Sequence, residues 1–134
     1  MVNVELNLSA VKNEEHMMSQ WYTACTLDDL IAGSGVCALV NGQQVAIFYL
    51  PNESQQVFAI DNHDPIGGAN VLSRGIVGDV QKNLVVASPL YKEHFNLLNG
   101  RCLEKPEYSV RVWPAQIVGN NVQVQQPAVV ESIV

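Results

Sequence analysis

At 134 residues the chain has the length of a single domain, and a globule of that size buries a real core without disulfide or metal staples. With 48% hydrophobic and 15% charged residues it is not a disordered acidic segment. A formal charge of -6, with seven Lys and Arg of which no two are adjacent, offers phosphate backbones no basic cluster and excludes a nucleic-acid partner.

The opening "MVNVELNLSAVKNEEHM" has no basic start and no long apolar run. No stretch anywhere reaches the roughly eighteen apolar residues of a membrane span. The expectation is a soluble, cytoplasmic protein with no membrane partner. Residues 1–17 alternate polar and apolar side chains without a clear period and are left unassigned.

"TLDDLIAG" is the helical candidate between strands, with Thr26 as cap, Asp28 and Asp29 in the first turn and Gly33 at its end. "VCALV-NG-QQVAIFYL" predicts a hairpin, two β-rich runs joined by Asn41-Gly42 in a type I′ turn. "VAIFYL" is continuously apolar, the mark of a strand covered on both faces. After a turn at Pro51-Asn52-Glu53-Ser54, "QVFAI" returns as a third strand.

From Asn62 to Gly100 the chain is broken by Pro65, Gly67-Gly68, Gly75, Gly78, Pro89 and Gly100. Its short apolar runs "RGIVGDV" and "LVVAS", joined at Gln81-Lys82-Asn83, read as a small subdomain of hairpins inserted into a β-sandwich or barrel. "YSVRVW" and "NVQVQ" alternate strictly and predict strands with one wet face, connected by Gly119-Asn120-Asn121.

The cysteines Cys25, Cys37 and Cys102 are odd in number and widely spaced, as reduced thiols in a cytosol are. Cys37, inside "GVCALV", reads as a buried, inert thiol. No cysteine has a histidine two or three residues downstream. There is no Gly-x-Gly-x-x-Gly after a strand to cradle a dinucleotide. Ser73 and Ser88 lack a patterned His and Asp, and Asp61, Asp64 and Asp79 read as solvated turn formers rather than a catalytic pair. His63 and His94 read as solvated or hydrogen-bonded loop histidines.

Two loops carry a resemblance. "AIDNHDPIGG" and "VVASPLYKEHFNLLNG" are similar in shape to the two cluster-binding loops of Rieske proteins, in which Cys-x-His and Cys-x-x-His hold a two-iron, two-sulfur cluster. On that pattern Asp64 and Ile66 stand at the first cysteine and histidine positions, and Ser88 and Tyr91 at the second pair. None of the four is a suitable ligand. Asp64 is expected to accept backbone N–H groups of its own loop in place of the missing cluster.

"SQWY", "GVCALVNGQQVAIFY", "QVFAIDNHDP", "VLSRG" and "VVASPLYKEHFNLLNGRCLE" together resemble the small subunits of cytoplasmic NAD(P)H-dependent nitrite reductases. The resemblance implies an all-β, Rieske-like antiparallel sandwich or barrel base with an inserted hairpin subdomain. It divides the chain into an extension over 1–18, a Rieske-like domain over 19–126 with its insert at 62–100, and a tail over 127–134.

It further implies a non-catalytic subunit that binds no cofactor or metal itself and partners a large subunit carrying FAD, a four-iron cluster and siroheme. Tyr91, Phe95, His94, Arg74 and Ile66 are the docking candidates, with Ile66 and Tyr91 filling the space at the subdomain tip; the alternative reading of Tyr91 and Phe95 is local core. A Rieske electron carrier would need the four ligands. The other alternative is a stand-alone, cluster-free binding module of unknown ligand.

Overall fold

The structure, a computed structural model, describes residues 20–127. The extension expected over 1–18, and all of the expected tail but Pro127, lie outside the described residues. Among the described residues the fold is all-β, with every strand-to-strand pairing antiparallel. No helix among them is long and apolar enough to cross a membrane.

The central sheet has the order β10-β4-β3-β2. It is built from β2 (Gly35–Val40), β3 (Gln43–Tyr49), β4 (Val57–Asp61) and β10 (Val112–Trp113). A second sheet, β1-β12-β11, joins β1 (Trp21–Thr26), β11 (Ala115–Val118) and β12 (Asn121–Gln125). A third joins β7 (Ile76–Val80), β8 (Asn83–Ala87) and β9 (His94–Asn96). A two-residue ladder, β5 (His63–Asp64) with β6 (Ala69–Asn70), closes the first loop.

The continuous apolar run of β3 has a direct cause. Side chains alternate faces along a strand, and both faces of the central sheet are covered. Ala46, Phe48, Phe58 and Ile60 enter one core with Val86, Phe95, Leu97 and Cys102 of the hairpin side. Val45, Ile47, Val57 and Ala59 enter a second core with Trp113, Val122 and Val124. A fully buried side chain of this kind contributes about 1.5–3 kcal/mol of transfer free energy, and two cores make the central sheet the anchor of the fold.

The predicted hairpin forms as expected, with Val40 opposite Gln43 and positive φ at Asn41 (52°) and Gly42 (75°), the backbone a type I′ turn requires. The turn between β7 and β8 is of the same kind, with φ 53° at Gln81 and 67° at Lys82; Asn83 already belongs to β8.

Several expectations are corrected. "TLDDLIAG" makes only a single 3-10 turn, Leu27–Asp29, which ends at Leu30 instead of Gly33. Its capping box is present, the Thr26 N–H donating to Asp29 Oδ2 at 2.9 Å, but three residues bury no apolar stripe that would extend it. "YSVRVW" pairs as a strand only at Val112–Trp113, and its presumed wet face is dry at Trp113, which is fully buried.

Pro114, with no N–H to donate, separates β10 from the unanticipated β11, and Gly119-Asn120 turns β11 into β12. β1, also unanticipated, pairs with β12 across an irregularity at Thr23–Cys25. Finally, Cys37 is exposed. It lies on the edge strand β2, where Ala38 and Val40 take the inward positions and Cys37 and Leu39 point out.

Candidate functional site

The two loops that carry the resemblance meet, and what joins them is a buried carboxylate. Asp64 lies on β5, which leaves the central sheet directly after β4; Ser88 follows the last residue of β8. Both are fully buried. The Ser88 hydroxyl donates to Asp64 Oδ2 at 2.5 Å, while Oδ1 accepts the N–H groups of Ile66 at 2.8 Å and Gly67 at 3.0 Å. Bonds to an ionised acceptor are stronger than neutral ones, and three of them on one carboxylate satisfy a group that would otherwise be costly to bury. Asp64 thus organises its own loop as expected, and it also ties that loop to the second.

Apolar contact reinforces the bridge. Leu90 lies over Gly67 so closely that a Cβ at Gly67 would collide with its Cδ1. Within the second loop the Ser88 N–H donates to Glu93 O at 2.9 Å and the Lys92 N–H to Ser88 O at 3.0 Å. The Leu90 N–H reaches Ser88 Oγ at 3.3 Å.

Asn62, buried just before Asp64, fastens the first loop to the base. Its Nδ2 donates to Gln44 Oε1 at 3.0 Å and Asn70 O at 3.1 Å, and its Oδ1 accepts the Ser73 N–H at 2.7 Å. Asp61, at the end of β4, is gripped by Arg111 through Nε (2.9 Å) and Nη2 (3.1 Å) and by Trp113 Nε1 at 3.0 Å. The second Arg111 bond from Nη2 runs to Gln43 Oε1 at 2.6 Å. Sequence reasoning passed over Asn62, Arg111 and Trp113. The only sequence signal was an Arg and a Trp on opposite sides of Val112, which does not specify partners some fifty positions away.

The docking candidates separate in space. Tyr91 is 67% exposed, so it presents its ring to solvent and does not fill the tip. Ile66 is half-buried against the first core, and Arg74 is exposed. Phe95 is 0% exposed, a core residue, because on β9 it faces Val86 across the ladder; that side chain is corrected from docking contact to packing. His94 is half-buried beside Glu104, Nδ1 lying 2.6 Å from Oε2. Partial burial pushes the Glu104 carboxyl up, but the His94 N–H at 2.8 Å, the imidazole and its own N–H outweigh that and hold it below its usual range.

His63 bonds Asn70 Oδ1 at 3.0 Å, so the two histidines serve different partners. Burial raises the Cys102 thiol pKa against the pull of the Lys105 and Glu104 N–H groups. Partial desolvation raises that of Cys37 too: the residue is exposed as a whole, but its sulfur lies 3.5 Å from the buried Asn62 Nδ2. Neither is a poised thiolate.

These residues do not fit an iron–sulfur cluster. Both carboxylate oxygens of Asp64 are bonded to its own loop or to Ser88, Ile66 has no side-chain donor atom for iron, and Tyr91 points to solvent. Among the described residues no three His, Cys, Asp or Glu side chains are grouped to hold a metal ion. What the arrangement can do is hold two loops rigid against each other.

Residues 20–125 match the family described as "Rieske-like [2Fe-2S] domain", so the protein is of the Rieske-like class. Over 108 residues the chain is 49% identical to the nitrite reductase (NADH) small subunit of Salmonella typhimurium, covering 81% of this chain and 99% of that one. The solution structure of a nitrite reductase [NAD(P)H] small subunit from Erwinia carotovora superposes with a TM-score of 0.67 at 50% identity, covering 87% of this chain and 92% of that one.

The chain belongs to the family of nitrite reductase small subunits, components of an oxidoreductase. A third relative differs in organisation. Over 104 residues this chain is 38% identical to part of a protein named nitrite reductase [NAD(P)H] large subunit from Klebsiella oxytoca, covering 78% of this chain but 11% of that one.

Proposed function

We propose that this protein is the non-catalytic small subunit of a cytoplasmic NAD(P)H-dependent nitrite reductase, which reduces nitrite to ammonium. In this reading it binds and stabilises a large subunit that carries FAD, a four-iron cluster and siroheme, and holds no cofactor itself. The observation that carries the reading is the Asp64–Ser88 bond. At the two positions where the Rieske pattern places its thiolates, this chain has a carboxylate and a hydroxyl satisfying each other, so the loops keep their arrangement without the redox group.

The Klebsiella relative supports the partnership, because a segment like this chain is there part of a large-subunit polypeptide. The segment 62–100, with exposed Tyr91 and Arg74 and half-buried His94 and Ile66, is the unit that docks. Tyr and Arg are typical anchors of interfaces.

The test is a binding titration of the full-length chain against the large subunit, with Tyr91→Ala alongside. Binding by the wild type, weakened about tenfold or more in the variant, supports the reading. No association of the wild-type chains refutes the subunit role, and unchanged binding by the variant refutes the docking site.

A further inference from the structure

The chain contains two Asn-Gly pairs, Asn41-Gly42 and Asn99-Gly100. An Asn followed by glycine is the pair most open to spontaneous loss of the side-chain amide, since glycine puts no side chain in the path of its own backbone nitrogen. Whether the reaction runs in a folded protein depends on whether that nitrogen is free and the backbone can move.

The two pairs differ in both respects. At Asn99-Gly100 the Gly100 N–H donates to Asn96 O at 2.8 Å. The Asn99 side chain is itself engaged, its Oδ1 accepting the Arg101 N–H at 2.9 Å, and its own N–H is held by Asn96 Oδ1 at 3.1 Å. Gly100 is buried, with the Val110 carbonyl in the space a side chain there would need. At Asn41-Gly42 both residues are exposed. The ladder closes at the pair Val40–Gln43, leaving the Gly42 N–H outside it. Nothing lies within 4 Å of where a Gly42 side chain would be.

We propose that Asn41 is a site of spontaneous covalent modification, converting to aspartate and isoaspartate, and that Asn99 is protected by the fold. The Gly42 backbone nitrogen, having given its proton to water, attacks the Asn41 side-chain carbonyl carbon. The new C–N bond closes a succinimide ring and the amide nitrogen leaves as ammonia. Water then opens the ring at either carbonyl, yielding Asp or isoaspartate without any change of oxidation state.

The two products have different consequences. Asp-Gly suits a type I′ turn as well as Asn-Gly does. Isoaspartate routes the main chain through Cβ, lengthens the turn and breaks its match to the Val40–Gln43 pair. The residues displaced first are Gln43, which holds Arg111 at 2.6 Å, and Gln44, which holds Asn62 at 3.0 Å. Damage at the turn therefore reaches the side chain that fastens the first loop to the base.

The test is peptide mapping by mass spectrometry of the full-length protein incubated at mildly alkaline pH, native and in guanidinium. Labelling by an isoaspartyl methyltransferase separates the two products. In the native sample acid should accumulate at position 41 about tenfold or more faster than at 99, with both positions converting in denaturant, where local protection is lost. Native conversion at 99 within that factor of 41, or retention of the Asn41 amide while the denatured sample converts, overturns the proposal. Asn41→Asp, which carries the direct product, should keep the wild-type unfolding midpoint, while the isoaspartate fraction should melt lower; equal midpoints for all three overturn the structural consequence.

Discussion

Replacing Ser88 with alanine tests the bridge directly. The substitution removes the hydroxyl that donates to Asp64 Oδ2 at 2.5 Å and leaves that oxygen, on a fully buried carboxylate, without a partner. A hydrogen bond to a charged group is worth about 1.5–3 kcal/mol. The longer contact from the Leu90 N–H, 3.3 Å, adds about 0.5 kcal/mol. The sum is a loss of about 2–3.5 kcal/mol. With a urea slope of about 1.5 kcal/mol/M for a domain of this size, the unfolding midpoint should fall by about 1.3–2.3 M.

Asp64→Asn completes a double-mutant cycle. Because the two side chains touch, their effects should fail to add by about 1.5 kcal/mol. A Ser88→Ala midpoint within about 0.3 M of wild type, or an additive cycle, would show that the bridge is incidental and that the loops are held by packing alone.

Three further outcomes follow from the same structure. Trp113→Ala should cost about 3–5 kcal/mol, because a fully buried indole leaves a cavity in the second core and Asp61 loses the Nε1 donor; thermal unfolding followed by circular dichroism reads this. For Glu104, whose folded carboxyl lies below its usual range, the contribution to stability is present above the ordinary glutamate pKa. It is lost as pH falls through the folded value, so Glu104→Gln should flatten the acid limb of stability against pH. Exposure of the pair holds that effect under about 1 kcal/mol, and no difference between the two acid limbs would refute it. Protein purified without oxygen should be colourless and free of stoichiometric iron while fully folded; visible absorption bands with bound iron would overturn the mismatch between these loops and a cluster.

The central hairpin was legible in the sequence because its determinants are local. Asn41-Gly42 sets the turn, and an unbroken apolar run announces a strand with no wet face. The emptied loops were legible too, since a cluster needs particular atoms at particular spacings and "DPI" and "SPLY" lack them. Cys37 misled because a short apolar run looks alike on an edge strand and on a covered one; which face is covered depends on neighbours distant in sequence. Trp113 misled for the converse reason, its alternating pattern suggesting a wet face that the sheet of β1, β12 and β11 in fact covers.

What the sequence by itself determined is the kind of protein this is: an all-β chain of the Rieske-like class whose loops lack the ligands. The class rests on the family resemblance that its sequence segments carry, and the missing ligands on residue identity and spacing in the two loops, which no folding step changes. The tertiary structure alone decided that Asp64 and Ser88, 24 positions apart, share one buried hydrogen bond, that Phe95 turns inward while Tyr91 turns out, and that Asn62 and Arg111 fasten loop and base. The physical reason is that a buried polar group must find its partner in space, and the partner is chosen by how the sheets stack, which no short stretch of sequence encodes.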